Sequence, residues 1–328
     1  MDQIKEIFQK HIEQGLCNGA EWKINFKEKI YHESVGFRDL EKKKDLPKNL
    51  HYRIWSMTKP IVSFAAMQLI EKDYLSLNDT IDKYLPEYNK VKILNKNSQN
   101  IDDIYLSNNI PTIKQLLLHT AGFTYNSSNN IIAAEYDRRK IFHSGETSLE
   151  EEVNSILGLP LLFEPGSQWH YSVSIDILAR ILEIITKDKL INLLSENIFS
   201  QLDMNKTNFY INKEENINLA ETFEFSKEIS KIQNLSPEAR KLVNYYYPSN
   251  NPSYIRGGHG LFSTADDYIK FANMLIDGKN IKGKELINIE TLNQMRVNAL
   301  DSHLFPLEIT SVNTIKDEKY INDLEGYG

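Results

Sequence analysis

The chain has 328 residues, 41% of them hydrophobic and 25% charged, with a formal net charge of −7 and a pI near 5.7. This balance suits a globular protein with one large core or two lobes, and no basic patch is dense enough to suggest a nucleic-acid partner. No apolar run approaches the roughly 20 residues that cross a bilayer, and Met1-Asp2-Gln3-Ile4-Lys5-Glu6 lacks the basic and apolar regions of a signal peptide, so a cytoplasmic location is expected.

Residues Ile4 to Gln14 have the spacing of an amphipathic helix, with Ile4, Ile7, Phe8, His11 and Ile12 on one face and Gly15 as its stop. Ala20 to Phe26 alternates as a strand, Lys27-Glu28-Lys29 turns, and Ile30 to Gly36 returns, which predicts a hairpin. Arg38 to Leu50 is polar, and its lysine run, Lys42-Lys43-Lys44, lies between Glu41 and Asp45 as a solvated turn would. A strand-like Tyr52-Arg53-Ile54 leads into Trp55-Ser56-Met57-Thr58-Lys59-Pro60. An apolar helix follows, with Ile61, Ala65 and Leu69 on one face beside Phe64 and Gln68, ending near Lys72-Asp73.

Leu77 to Ile81 reads as a capped turn into a short helix ending before Pro86, and Asn95 to Asn109 as a loop. Thr112 starts a short helix over Ile113 to His119 that stops near Gly122, and Asn126 to Asn130 is a second loop. Leu149 to Leu157 is helical, Pro160 to Gly166 is turn-rich, and Ile175 to Ile185 is strongly periodic, with Ile177, Leu178, Ile181, Leu182 and Ile185 facing the core. A further helix is expected over Leu190 to Phe199. Lys213 to Tyr247 gives the weakest pattern. Arg256-Gly257-Gly258-His259-Gly260-Leu261 carries glycines that permit close backbone approach, and Ser263 to Asp267 starts a helix ending at Gly278. Strands near the N-terminus and helices through the middle imply a sheet lobe and a helical lobe within one unit.

Ser56 and Lys59 are the candidate chemistry. Pro60 fits a first helical turn, so Ser56 lies at a helix N-terminus and Lys59 one turn on, on the same face. A serine hydroxyl needs a base within hydrogen-bond reach, and burial beside an apolar helix favours the neutral form of lysine that could be one. The positive end of the helix also favours negative charge developing at Ser56. On the pattern alone a serine cap beside a lysine whose stem lies along apolar surface is the simpler reading, and the rest of the chain decides.

The motifs together resemble the serine β-lactamase and penicillin-binding-protein superfamily, most closely the class C β-lactamase-like, or family VIII, esterases. Four segments carry the likeness in the family's order: Ser56-Met57-Thr58-Lys59-Pro60, Leu117-Leu118-His119-Thr120-Ala121-Gly122-Phe123, Pro165 to Val173 with Tyr171-Ser172-Val173 at its end, and Gly257 to Thr264. The resemblance implies a single α/β (α+β) hydrolase domain over residues 1–328, with an antiparallel sheet flanked by helices and a mainly helical lobe. It implies that Ser56 is acylated, that Lys59 takes its proton, that Tyr171 assists and protonates the leaving group, and that the Ser56 N–H supplies half of an oxyanion hole. Gly258, His259 and Gly260 are expected to border the substrate. The expected reaction is hydrolysis of small carboxylic esters without a cofactor or metal.

Val173 stands where many members carry Asn, which resembles the esterase branch more than the β-lactamases. The family's third motif, on a strand beside the nucleophile, would follow Gly328, so the last strands and the second oxyanion donor are expected to be missing and the 328-residue chain incomplete as a catalyst. A β-lactamase, a D-amino peptidase, an acyltransferase and a non-catalytic binding protein that keeps the fold are the alternatives. There is no Gly-x-Ser-x-Gly elbow. His119, His143, His170 and His259 lack metal-ligand spacing and read as structural histidines, His259 also as a possible pocket residue, and the single cysteine, Cys17, supports neither a disulfide nor a zinc cluster. Gly257-Gly258-His259-Gly260 lacks the Lys-Ser/Thr of a phosphate loop.

Overall fold

The computed structural model describes residues 2–305 and 307, apart from 28, 42, 142–144 and 213–217. The expected positions of His143 and of the segment leading to Gly328 lie outside the described residues.

Helix α1 (Asp2–Glu13) lies on a hairpin of β1 (Gly19–Phe26) and β2 (Lys29–Asp39), where Phe8 stacks on Trp22 at 5.4 Å between ring centroids. The antiparallel register runs from Gly19 opposite Gly36 to Phe26 opposite Lys29, and β3 (Lys44–Asp45) adds a short third strand to β2. Strand β4 (Tyr52–Arg53) then leads through one 3₁₀ turn, Trp55–Met57, into α2 (Thr58–Glu71).

Helix α2 is apolar all round rather than on one stripe. Ile61, Val62, Phe64, Ala65, Ala66, Met67 and Leu69 are all buried, which makes it a central helix. Strand β5 (Val91–Leu94) pairs antiparallel with β6 (Ile104–Ser107), so the polar Asn95–Asn109 stretch is a hairpin and not wholly loop; the β-prone Ile104-Tyr105-Leu106 sits between polar flanks that mask it. Helix α3 (Ile113–Leu117) opens on a capping box of Thr112 and Gln115, and α4 (Ile131–Arg138) opens on the Asn130 side chain, past the Asn-rich loop. Helix α5 (Leu149–Leu157) has a second capping box, Ser148 with Glu151.

Helix α6 (Ser174–Thr186) packs on α2, burying Ile177, Leu178, Ile181 and Leu182, with Ile185 half-buried beside them. The helix expected over Leu190–Phe199 is α-helical only through α7 (Leu190–Leu194) and widens to a π turn over Ser195–Phe199. The weakly patterned stretch contains a hairpin of β7 (Phe223–Ser226) and β8 (Lys231–Asn234), then α8 (Pro237–Tyr246).

One short pairing places the site. Strand β9 (Phe262–Ser263) runs antiparallel to β4, with Arg53 opposite Phe262; the Ile54 N–H donates to Leu261 O at 3.0 Å and the Leu261 N–H to Thr58 Oγ1 at 3.1 Å. The glycine-rich segment is thereby fixed against the first turn of α2, more than 200 residues away in sequence. Helix α9 (Ala265–Asp277) is capped by Thr264 and ends at left-handed Gly278; α10 (Ile289–Gln294) follows. The described residues form a mixed α+β arrangement of helices and antiparallel strands. Among the described residues no helix is long and apolar enough to cross a membrane.

Candidate active site

Ser56 lies in the 3₁₀ turn before α2 and not on the α-helix itself. Trp55 ahead of it has φ of +45°, left-handed backbone that a bulky residue adopts only under constraint; its ring is held edge-on against Tyr247 at 4.6 Å. The turn leaves Ser56 exposed, whereas Lys59, one turn on, is buried.

Lys59 Nζ stands 3.2 Å from Ser56 Oγ, 3.1 Å from Tyr125 Oη and 2.7 Å from Gly258 O. The Tyr171 hydroxyl donates to Ser56 Oγ at 2.6 Å. Tyr171 is set by the loop entering α6; its ring lies beside those of His119 and Tyr125, at 4.8 and 5.5 Å between centroids, and Nζ sits 4.7 Å from the Tyr171 ring centre. The structure thus brings Ser56, Lys59 and Tyr171 together, with Gly258 joining through its carbonyl.

His259 and Gly260 point elsewhere. His259 Nε2 is 3.4 Å from Tyr254 Oη and its ring meets Tyr247 edge-on, while Gly260 is crowded by Phe209 and the Arg256 backbone. None of Gly258, His259 and Gly260 lines the cavity that holds Ser56; Gly258 meets the site only through its carbonyl on Lys59. Burial, with the Lys59 and Arg256 charges, pushes the His259 imidazole down to about 3. His119 Nδ1 accepts from the Ser172 N–H at 3.2 Å, which leaves its proton on Nε2; burial and the Lys59 charge push it down to about 3. His170 Nε2 faces the hydroxyls of Thr124 and Ser128 at 3.0 and 3.2 Å, and burial pushes it down to about 4. All three rings are therefore neutral. Among the described residues no cluster of His, Cys, Asp or Glu could hold a metal.

Sequence reasoning missed two residues. Tyr125, two positions past Phe123 of the quoted segment, anchors Lys59. Asp176, five positions after Tyr171, is a fully buried acid in the apolar first turns of α6, and its Oδ1 accepts the Gly258 N–H at 2.9 Å. A carboxylate in so apolar a run was the available signal. Gly258 is glycine for a spatial reason: a Cβ there would collide with Asp176 Oδ2 and stand 2.8 Å from Tyr125 Oη.

Ser56, Lys59, His119 and Tyr171 line a cavity of about 470 Å³ together with the apolar Met67, Leu77, Leu117, Leu118, Leu275 and Leu292, and Lys114, Gln294 and Arg296 also line it. Val173 is fully buried, so no side-chain amide reaches the cavity from that position. The arrangement can activate a hydroxyl, protonate an oxygen leaving it, and hold an apolar acyl group.

Protein Rv1367c of Mycobacterium tuberculosis is 28% identical over 290 residues, covering 87% of this chain and 69% of that protein. Esterase EstB of Burkholderia gladioli is 25% identical over 250 residues, covering 74% of this chain and 61% of its own. The solved structure of EstCE1, named as a hydrolase with promiscuous acyltransferase activity, superposes with a TM-score of 0.75 at 25% identity, covering 90% of this chain and 76% of its own. These relatives place the fold with the serine β-lactamases and penicillin-binding proteins, esterases among them. The family model Beta-lactamase matches residues 4–306, and the chain belongs to the Beta-lactamase family.

Proposed function

We propose that this chain is one serine hydrolase domain that cleaves small carboxylic esters through an acyl-enzyme on Ser56. One observation carries the reading: Lys59 Nζ and Tyr171 Oη converge on Ser56 Oγ, at 3.2 and 2.6 Å, on the wall of a mostly apolar cavity.

Neutral lysine has two N–H bonds and one lone pair. With the N–H bonds donated to Gly258 O and Tyr125 Oη, the lone pair faces the Ser56 hydroxyl. Lys59 takes the serine proton as Oγ bonds to the ester carbon, and the carbonyl oxygen becomes an oxyanion beside the Ser56 N–H. As the tetrahedral species collapses, the bond to the alcohol oxygen breaks and that oxygen collects a proton from Tyr171, which Lys59 replaces. Water then attacks the acyl carbon, its proton passing to the same pair, and Ser56 leaves as the hydroxyl.

Esters are favoured over β-lactams because Val173 offers no amide to a substrate and much of the wall is apolar; EstB and EstCE1 are by name an esterase and a hydrolase. The test is intact-mass analysis after a p-nitrophenyl ester, beside nitrocefin and D-amino-acid amides. One acyl group on Ser56, absent in Ser56→Ala, is expected, with ester turnover exceeding that of the other two. Labelling that survives Ser56→Ala would sink the assignment, and reversible binding without acylation would favour a non-catalytic role.

A further inference from the structure

Asp176 is fully buried, and the reaction as proposed gives it no part. Its Oδ1 holds the Gly258 N–H at 2.9 Å, while Oδ2 has no hydrogen-bond partner among the described residues. An idle carboxylate oxygen in a protein interior is costly, so its position needs a reason. Oδ2 and the Tyr125 hydroxyl crowd the same side of the Gly258 Cα, where neither leaves room for a Cβ. Both oxygens that orient the N–H bonds of Lys59, Gly258 O and Tyr125 Oη, therefore belong to groups that Asp176 touches or borders.

The charges point the same way. The oxygens within reach of Lys59 Nζ are a hydroxyl, a phenol and a carbonyl, all uncharged. From the glycine-rich segment Arg256 also faces Asp176, but Arg256 is matched by Glu152 of α5 at 2.8 Å, both side chains buried. His119 and His259, beside Lys59, are neutral, and burial together with Asp176 keeps the Tyr125 phenol protonated. Among the described residues neither Asp176 nor Lys59 has a matched ion partner of its own, so Asp176 is the acid left to face the charge that forms on Lys59.

Building on the acyl-enzyme reading, we propose that Asp176 is a positioning residue. Its carboxylate fixes the Gly258 carbonyl and the Tyr125 hydroxyl that aim Lys59 at Ser56, and it compensates the ammonium formed when Lys59 takes the serine proton. Held by an uncharged isostere, the lysine would lose that compensation at the moment it takes the serine proton.

The test is Asp176→Asn in the full chain, which keeps an acceptor for the Gly258 N–H and removes the charge. With p-nitrophenyl butyrate, kcat should fall by up to about 10²-fold while KM changes little. The acid limb of the kcat/KM profile should move to lower pH by about one unit. A residue that only supported the fold would lower the melting temperature and leave the limb in place, so a limb superimposable on the wild type overturns the proposal. If Asp176→Asn does not fold, ¹³C-carboxyl NMR of wild type and Lys59→Met decides: without the cation, the Asp176 carboxyl should take up its proton at higher pH, and an unmoved midpoint overturns the coupling. A wild type that never acylates Ser56 removes both readings, whereas one that acylates normally with an unmoved limb in Asp176→Asn removes only this one.

Discussion

Acid should destabilise this protein through its buried neutral histidines. Burial holds His119 and His259 at about 3 and His170 at about 4 in the folded chain, against about 6.5 when unfolded. Below 6.5 the unfolded chain binds one more proton at each ring than the folded chain does. The stability from keeping the rings neutral is therefore complete above pH 6.5 and is lost as pH falls toward 4 and then 3. Each ring contributes a slope of about 1.4 kcal/mol per pH unit in that window, or about 2 kcal/mol between pH 6.5 and 5. Asp176 works against them, because burial raises its carboxyl and acid therefore favours its folded form. The three rings together cost roughly 6 kcal/mol from pH 7 to 5 before that opposing contribution, a large part of the ~5–15 kcal/mol that holds a domain folded. Urea unfolding followed by tryptophan fluorescence at pH 7, 6 and 5 measures it, and His170→Gln should flatten the slope by one proton. A change below about 1 kcal/mol across that range would refute the reasoning.

Other outcomes follow from individual contacts. Lys59→Met should lower the acylation rate by about 10²–10⁴-fold, the usual worth of a general base, in a stopped-flow ester assay, with the circular dichroism spectrum unchanged. Tyr171→Phe removes the hydroxyl that donates to Ser56 at 2.6 Å and leaves the ring on His119, so turnover should fall about 10²-fold with almost no change in melting temperature. Gly257→Ala would drive a Cβ into Ala179 and to 2.8 Å from Ile175 O, so calorimetry should show a loss of about 1–3 kcal/mol. Phe64→Ala empties a site packed edge-on against Phe271 at 5.8 Å and should cost about 3–5 kcal/mol.

The legible parts of the sequence were those whose signal is local. The N-terminal hairpin shows in its alternation, α6 in its period, and the Ser56–Lys59 spacing in one helical turn. What failed was also local in cause. Ile104 to Ser107 was hidden by polar flanks, and β7, β8 and α8 have mostly exposed or half-buried faces with weak apolar pattern. The 3₁₀ turn at Trp55–Met57 depends on a left-handed Trp that no propensity announces. Lys59's anchors were illegible for a different reason. Tyr125 and Gly258 reach it across 66 and 199 residues of chain, the second distance closed by the β4–β9 pairing.

Those two anchors also separate the hydrolase from a binding protein that merely keeps the fold. A lysine kept for structure needs acceptors for its three protons and nothing more, and any third oxygen would serve. Here two acceptors are a carbonyl and a phenol fixed by buried neighbours, and the third oxygen is the hydroxyl of an exposed serine that a second phenol also reaches. If Lys59 were only structural, replacing Ser56 with Ala would leave an ammonium proton without its acceptor and destabilise the fold by about 1–3 kcal/mol. If Lys59 is the neutral base, it has two protons to donate and both are already placed, so Ser56→Ala should leave the melting temperature nearly unchanged. Calorimetry of Ser56→Ala distinguishes the two. A large loss would mark a lysine whose third proton is held structurally by Ser56 and count against the proposed chemistry; an unchanged melt is the signature of a base whose lone pair faced the serine.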